Sequence, residues 1–553
     1  MSGLPRIEAR SPAPPGTLGG DYCRGVDGAV RLLRRSSGHG AGREIPHNLL
    51  GRANETPALH PALGASSPSA REKLSAILHH GGGLVSTGHQ PVLFLGPLYV
   101  LYKLLSAIEI ARRMEAATSR PSLALFWVAS DDHDWEEVGG TRIIDTHHEL
   151  RRLRLPPPPG WANRSVGPAP VPECIRSVIE DMALYVPKSE FRDHYIQLIL
   201  DTYRPGETLG SAFIEMVAKL LPEWEFAWLD SSAEPVKRAS IPLFRRALSE
   251  REQTIAAMEA ANRSLRTAGY EPSVPTLPGA SLVFYDTGHA RERVYVEDGW
   301  ARAGRDGESV RLAELLEQLE AEPERFSPNV ALRPVLESWL LPVKATVLGP
   351  GEIAYWAQLP ELFRFLDARF PDIYPRAAWS LVEARVDKVL RKLGAESEQL
   401  ADGGESLSRI ATTEGRPPEV TAALERLHED LARGFDDLER SVAKTLPGVR
   451  SAVLKARKQA LAAAAGVERR LDATVRERQQ VFLEQIRRSA LHLFPDGHPQ
   501  ERVLSPFYFL FRHGQAWLDA LAAATRERTE TAWPPGGSPR TGGGLVAEGK
   551  DPG

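Results

Sequence analysis

Asp131-Asp132-His133-Asp134 sets three acids and an imidazole just beyond the apolar run Leu123–Val128, with Glu136 and Glu137 close behind. Charge beside a buried strand is costly unless it is paired or liganded. Carboxylates this close also raise one another's pKa. Three roles stay open for the cluster. It could hold a substrate ammonium, bind Mg²⁺ through oxygen ligands, or cap the next helix and pair with arginines. No HxxxH or CxxC spacing accompanies His133, so no metal-ligand set is assigned. A second cluster, Gly88-His89-Gln90-Pro91, precedes an apolar helical segment. Free N–H groups at a helix start favour an anion there, and His89 would steady a phosphate, act as acid or base, or simply pack. The third cluster is Gly349-Pro350-Gly351-Glu352 with Tyr355 and Trp356, preceded by Asn329 and Arg333. Its glycines allow close backbone approach. Arg333 would clamp a carboxylate or phosphate, or form a buried Arg–Glu pair. Lys103, Arg142 and Arg376 are further candidate cations for an anionic ligand.

These clusters need elements to hold them. Leu84–Thr87 and Leu123–Val128 are predicted as strands, and Pro97–Met114 as a helix with Pro at its first turn. This strand–helix–strand order is a βαβ unit, and both polar clusters fall at strand carboxyl ends, where open parallel sheets bind ligands. Phe226–Asp230, Ala345–Leu348 and Ile373–Arg376 are further core strands. Residues 145–215 look inserted, with the basic stretch Arg151-Arg152-Leu153-Arg154. Helices are expected over 234–267, 309–322 and 352–366, and short strands at Ser281–Tyr285 and Val294–Val296. From Val420 to Leu446, apolar residues recur at steps of three and four. Pro447-Gly448 breaks this helix and a second follows to Leu491, which makes an antiparallel coiled-coil hairpin.

Composition bounds the class. Of 553 residues, 68 are Lys or Arg and 72 Asp or Glu, a net charge of −4. No basic excess points to nucleic acid. Only Cys23 and Cys174 occur, too few for a disulfide framework. Residues 74–102 lack Asp, Glu, Lys and Arg, but glycines and prolines break them, so they are not a membrane helix. No apolar stretch of signal-peptide type follows Met1, and a cytoplasmic protein is expected. The divisions are a loosely ordered lead (1–70), a first core half (71–145), an insertion with a core strand (146–325), a second core half (326–400), the hairpin (417–491), a C-terminal helix (500–530) and a disordered tail (534–553).

The runs Thr87-Gly88-His89-Gln90 … Gly96-Pro97-Leu98-Tyr99 … Lys103, Phe126-Trp127-Val128-Ala129 … Asp132-His133-Asp134, and Phe326-Ser327 … Asn329 … Arg333 … Gly349-Pro350-Gly351-Glu352 … Tyr355-Trp356 resemble the BshC family of bacillithiol biosynthesis, over roughly residues 80–530. The resemblance implies an α/β fold with a Rossmann-like parallel-sheet core, helical connecting-peptide insertions and a C-terminal coiled-coil hairpin used in homodimerisation. It implies ligation of L-cysteine to the glucosamine amine of glucosaminyl-malate, with an adenine nucleotide (ATP or ADP) bound and Mg²⁺ an option. Cysteine's carboxylate would be activated as an adenylate or acyl phosphate. On this view Asp132, His133 and Asp134 are catalytic, and His133 or a neighbouring acid takes the amine's proton. Gly88, His89, Gln90, Tyr99, Lys103, Asn329, Arg333, Gly351, Glu352, Tyr355 and Trp356 bind substrate, and Arg376 and Arg385 the nucleotide. The acceptor's two malate carboxylates require a cationic clamp, for which Lys103 and Arg142 are candidates. The alternatives are a nucleotidyl- or glycosyltransferase on the same core, or a nucleotide-binding dimeric scaffold.

Overall fold

The computed structural model describes residues 3–11, 13–34 and 62–531. The chain forms two units, one of residues 7–379 with 501–553, the other of residues 1–6 with 380–500. The larger unit is built on a six-stranded sheet. Its strands are β1 (Leu63–Ala65), β2 (Gly83–His89), β3 (Ser122–Val128), β4 (Phe226–Asp230), β5 (Val343–Leu348) and β6 (Asp372–Pro375). They run in the order β6-β5-β2-β3-β4-β1, all parallel except β1. Every residue of β3 is buried, as a continuous apolar strand between covered faces requires.

The order places the site. From β2 the chain moves to β3 on one side, and from β5 to β6 on the other. The carboxyl ends of β2 and β5 therefore flank a topological switch point, where crossovers diverge and leave a crevice. The Gly88-His89-Gln90 and Gly349–Glu352 clusters sit at those two ends. A five-stranded antiparallel sheet forms from Ser309–Arg311, Trp300–Ala303, Arg291–Glu297, Ala280–Asp286 and Phe326–Pro328. It is pinned to the main sheet by Lys237, whose buried Nζ donates to Asp131 Oδ1 at 2.5 Å and to Phe326 O at 2.8 Å.

Several expectations are adjusted. The helix after β2 begins at Tyr99 and ends at Thr118. The long helix over 234–267 is two, Glu234–Ser249 and Arg251–Thr267. Ser309–Arg311 is a strand, and the helix after it is Leu312–Ala321. The 352–366 helix is also two, Pro350–Trp356 and Pro360–Phe365, parted before Pro360 because a proline restricts the residue preceding it. The lead is not loosely ordered where it is described. Helices Leu18–Cys23 and Asp27–Arg34 bury Leu18, Tyr22, Val30 and Leu33 in the core, and Leu63–Ala65 is an edge strand. Cys23 packs against that core, and burial pushes its thiol up to about 12, which fits an inert role. The 534–553 tail lies outside the described residues.

The smaller unit carries the hairpin. Helices Pro418–Thr445 and Arg450–Arg478 meet across a turn at Pro447–Val449, and Gln480–Leu493 follows. Arg416 ties the hairpin's base to Asp472 and Glu468. No helix among the described residues is long and apolar enough to cross a membrane.

Candidate active site

A cleft of about 470 Å³ opens at the switch point. The end of β2 contributes Gly88, His89 and Gln90, and the next helix Tyr99 and Lys103. The turn after β3 contributes Asp131 and Asp132, and the turn after β5 Gly349, Gly351 and Glu352. Asn329, Arg333, Tyr355 and Arg376 complete the predicted residues that line it.

Of the trio expected at 132–134, Asp132 lines the cleft, and His133 Nδ1 lies 3.6 Å from Asp132 Oδ1. Asp134 turns back to cap the short helix Trp135–Val138, accepting from Glu137 N at 3.1 Å. His133 Nδ1 sits 3.2 Å from Arg291 Nη1, where it can only accept. Burial and then the Arg291 charge lower its pKa. Imidazole 133 is thereby a neutral acceptor beside the cleft. Trp356 is buried against Phe363 and Phe370 and does not reach the cleft. Arg385 belongs to the smaller unit, where it pairs with Glu383 at 3.0 Å.

Gln90 is the connector of the acidic wall. Its Nε2 donates to Asp132 Oδ2 at 3.0 Å and to Glu137 Oε2 at 2.8 Å. Asp132 Oδ1 also accepts from His133 N at 2.7 Å. Two carboxylates are thus held side by side. Burial raises the pKa of Glu137, and Asp132 and Asp134 raise it further, against the Gln90 hydrogen bond. Glu137 was noted in the sequence only as extra charge. Its distance from Gln90 in the chain hid the pairing.

His89 is neutral as well. Its Nδ1 donates to Gln90 O at 3.2 Å, so Nε2 accepts from Tyr99 OH at 2.8 Å. Burial, and next the Lys103 charge, lower its pKa to about 4. Lys103 is itself buried, donating to Gly88 O and to Glu352 at 2.9 Å. Burial lowers the lysine's pKa. Burial would raise Glu352, but Lys103 and the Gly349 N–H, 2.8 Å away, bring it below the usual range. Arg333 pairs with buried Glu337 at 3.0 Å, and Ser86 Oγ donates to the same carboxylate. Arg376 makes two hydrogen bonds to Glu501, at 2.8 and 3.0 Å, with both side chains buried. Arg333 and Arg376 therefore line the cleft as members of buried ion pairs.

The wall from the antiparallel sheet was not legible in the sequence. Arg291, Arg293 and Phe284 come from the antiparallel sheet. Arg293 lies directly across from Phe284 in register, and the Arg291 guanidinium stacks 4.1 Å from that ring's centre. Arg291 also donates to Ser327 Oγ at 2.8 Å and Pro328 O at 2.7 Å. A guanidinium held over a ring keeps its charge and its remaining N–H groups for a carboxylate or phosphate. Asn329 accepts from the N–H groups of Ala331 and Leu332 through Oδ1, while its buried Nδ2 has no partner among the described residues. No group of three His, Cys, Asp or Glu side chains among the described residues is placed to hold a metal ion.

Residues 57–377 match the family model described as the N-terminal Rossmann-like domain of bacillithiol biosynthesis BshC. Residues 379–530 match the C-terminal coiled-coil domain of the same family. A relative from Salinibacter ruber is 30% identical over 552 residues, covering 95% of this chain and 98% of the relative. One from Prosthecochloris aestuarii is 31% identical over 458 residues, 80% of each chain. One from Bacillus cereus is 26% identical over 454 residues, 82% of this chain and 84% of the relative. All three bear the name "Putative cysteine ligase BshC". With both units matched and a relative aligned nearly end to end, the chain belongs to the BshC family of bacillithiol biosynthesis.

Proposed function

We propose that the chain is a ligase that joins the carboxylate of L-cysteine to the amine of glucosaminyl-malate in the cleft at the switch point. The observation that carries this reading is the pairing of two carboxylates, Asp132 and Glu137, in one cleft with the guanidinium groups of Arg291 and Arg293. An amide-forming site needs both. The amine arrives as an ammonium and must lose a proton, while the acid and its activating group are anions.

Asp132 and Glu137, fixed by Gln90, receive the ammonium. Glu137 accepts its proton, since partial desolvation and its acidic neighbours raise its proton affinity above that of an ordinary glutamate. Arg291 and Arg293 orient the carboxylate of cysteine. An adenine nucleotide, when bound, supplies the activation that a free carboxylate lacks. The residues present suit its phosphates. Asn329 offers a buried amide donor without a partner among the described residues, Arg333 a guanidinium, and Gly351 a backbone with open space where a side chain would stand. Mg²⁺ enters this reading as a companion of those phosphates, the usual setting for an ion that keeps few protein ligands.

Product formation by purified variants, followed as the thiol-containing amide by mass spectrometry, tests the assignment. Glu137→Gln is expected to lower kcat by about 10²–10⁴-fold, the usual contribution of a general base, with the KM for cysteine unchanged. Asp132→Asn is expected to raise the KM for the acceptor. Turnover near wild type in both variants would remove the proposed centre.

A further inference from the structure

A second cavity of about 210 Å³ opens beside the main cleft. His89, Tyr99, Glu137 and Arg502 line both and form the wall between them. Its outer side is the antiparallel hairpin of Gly140–Ile144 and Leu150–Arg154, the basic stretch that the main cleft does not use.

Register explains the charge gathered there. Arg142 lies directly opposite Arg152, and Gly140 opposite Arg154. Opposite residues share a face and side chains alternate along a strand. Arg142, Arg152 and Arg154 therefore stand on one face of the hairpin, and all three line the cavity. Arg151 takes the other face, where it pairs with Asp145 at 2.7 Å. Ser505 N donates to Arg142 O at 2.9 Å, tying the segment that follows Arg502 to the hairpin. Among the described residues, four guanidinium groups and two carboxylates, Glu136 and Glu137, line the cavity. Glu136 is matched to Arg154 at 3.1 Å. Like charges directly opposite on a hairpin cost stability, while guanidinium groups in a row suit a ligand with two carboxylates.

We propose that this annex holds the dicarboxylate arm of the acceptor, an amino sugar joined through its anomeric carbon to a hydroxy diacid. The assignment rests on the ligase reading above and extends it. The acceptor's amine and its diacid arm sit on neighbouring ring carbons. An amine placed between Asp132 and Glu137 directs the arm across the shared wall into the annex. A phosphate chain there would face Glu136 and Glu137 with no ammonium to offset them.

Arg152→Gln and Arg502→Gln, both at exposed positions, test the proposal by calorimetric titration of the full-length protein. The ligands are glucosaminyl-malate, methyl glucosaminide and ATP, each titrated separately. Each variant is expected to bind glucosaminyl-malate at least tenfold more weakly, with methyl glucosaminide and ATP binding as in wild type. Equal loss for glucosaminyl-malate and methyl glucosaminide would overturn the proposal, as would no loss. Loss confined to ATP would assign the annex to phosphates and overturn it too. Wild-type protein that binds no glucosaminyl-malate would instead defeat the ligase reading on which the proposal stands.

Discussion

A carboxylate that takes a proton from an ammonium works best when its own proton affinity is not far below that of the amine. Burial, with Asp132 and Asp134 nearby, moves Glu137 in that direction. The sign of the pH dependence follows. The ionised form of Glu137 is the active one, so kcat/KM rises as pH rises through its raised pKa. The acid limb should lie above the ordinary glutamate value of about 4.3. Asp132→Asn removes one negative neighbour and should move that limb to lower pH. A pH profile of the residual activity checks this, and an unmoved limb would separate the limb from Glu137. At this scale the sequence showed the neighbourhood of the cleft but not which side chains line it. Asp132 was legible because acids after a buried strand need partners. His133 and Asp134 were not, because a helix cap and an arginine from 158 residues away decide where they turn. Arg291 and Arg293 carried no local signal at all. They read as charges on a short strand until Phe284 and the cleft are brought to them.

Elements separate two glycines that look alike in sequence. A Cβ on Gly88 would stand 2.7 Å from Trp127 O in the neighbouring strand, whereas one on Gly351 meets no atom within 4 Å. Gly88→Ala should therefore strain the β2–β3 pairing and cost about 1–3 kcal/mol, the usual range for overpacking. Gly351→Ala, in the first turn of a helix, should leave the melting temperature unchanged or slightly raised and weaken ATP binding. Thermal melts and titrations of the two variants check this, and the opposite pattern would exchange the structural and ligand-facing roles. The loop after β2 shows how firmly that end is set. Phe94 and Leu95 hold φ of 50° and 61°, a conformation that costs side-chain-bearing residues energy. Burial of both side chains and the Tyr203 hydroxyl, which accepts from Phe94 N at 3.1 Å, offset it. The core strands were legible as short continuous apolar runs, the pattern of a strand buried on both faces. The antiparallel sheet was legible only as isolated short strands, since pairing is set by tertiary contact.

At the scale of the whole chain, the hairpin was the plainest feature of the sequence, because its apolar period persists across both helices. Leu427, Leu438, Leu446, Leu454 and Val467 of the hairpin are exposed. Apolar positions left in water at helical spacing favour a partner, and our reading is that a second copy covers them. Leu427→Glu combined with Leu438→Glu should convert a dimer to a monomer in analytical ultracentrifugation, with the secondary structure retained. A monomeric wild type would exclude this use of the hairpin. The nucleotide carries the remaining weight of the account, since a free carboxylate does not condense with an amine unaided. The direct test is incubation of purified protein with cysteine, glucosaminyl-malate and ATP, beside an ATP-free control, with the amide and the nucleotide products quantified together. The account predicts amide only when ATP is present, with AMP or ADP released in equal amount. No amide in either reaction, or the same yield without ATP, would contradict it.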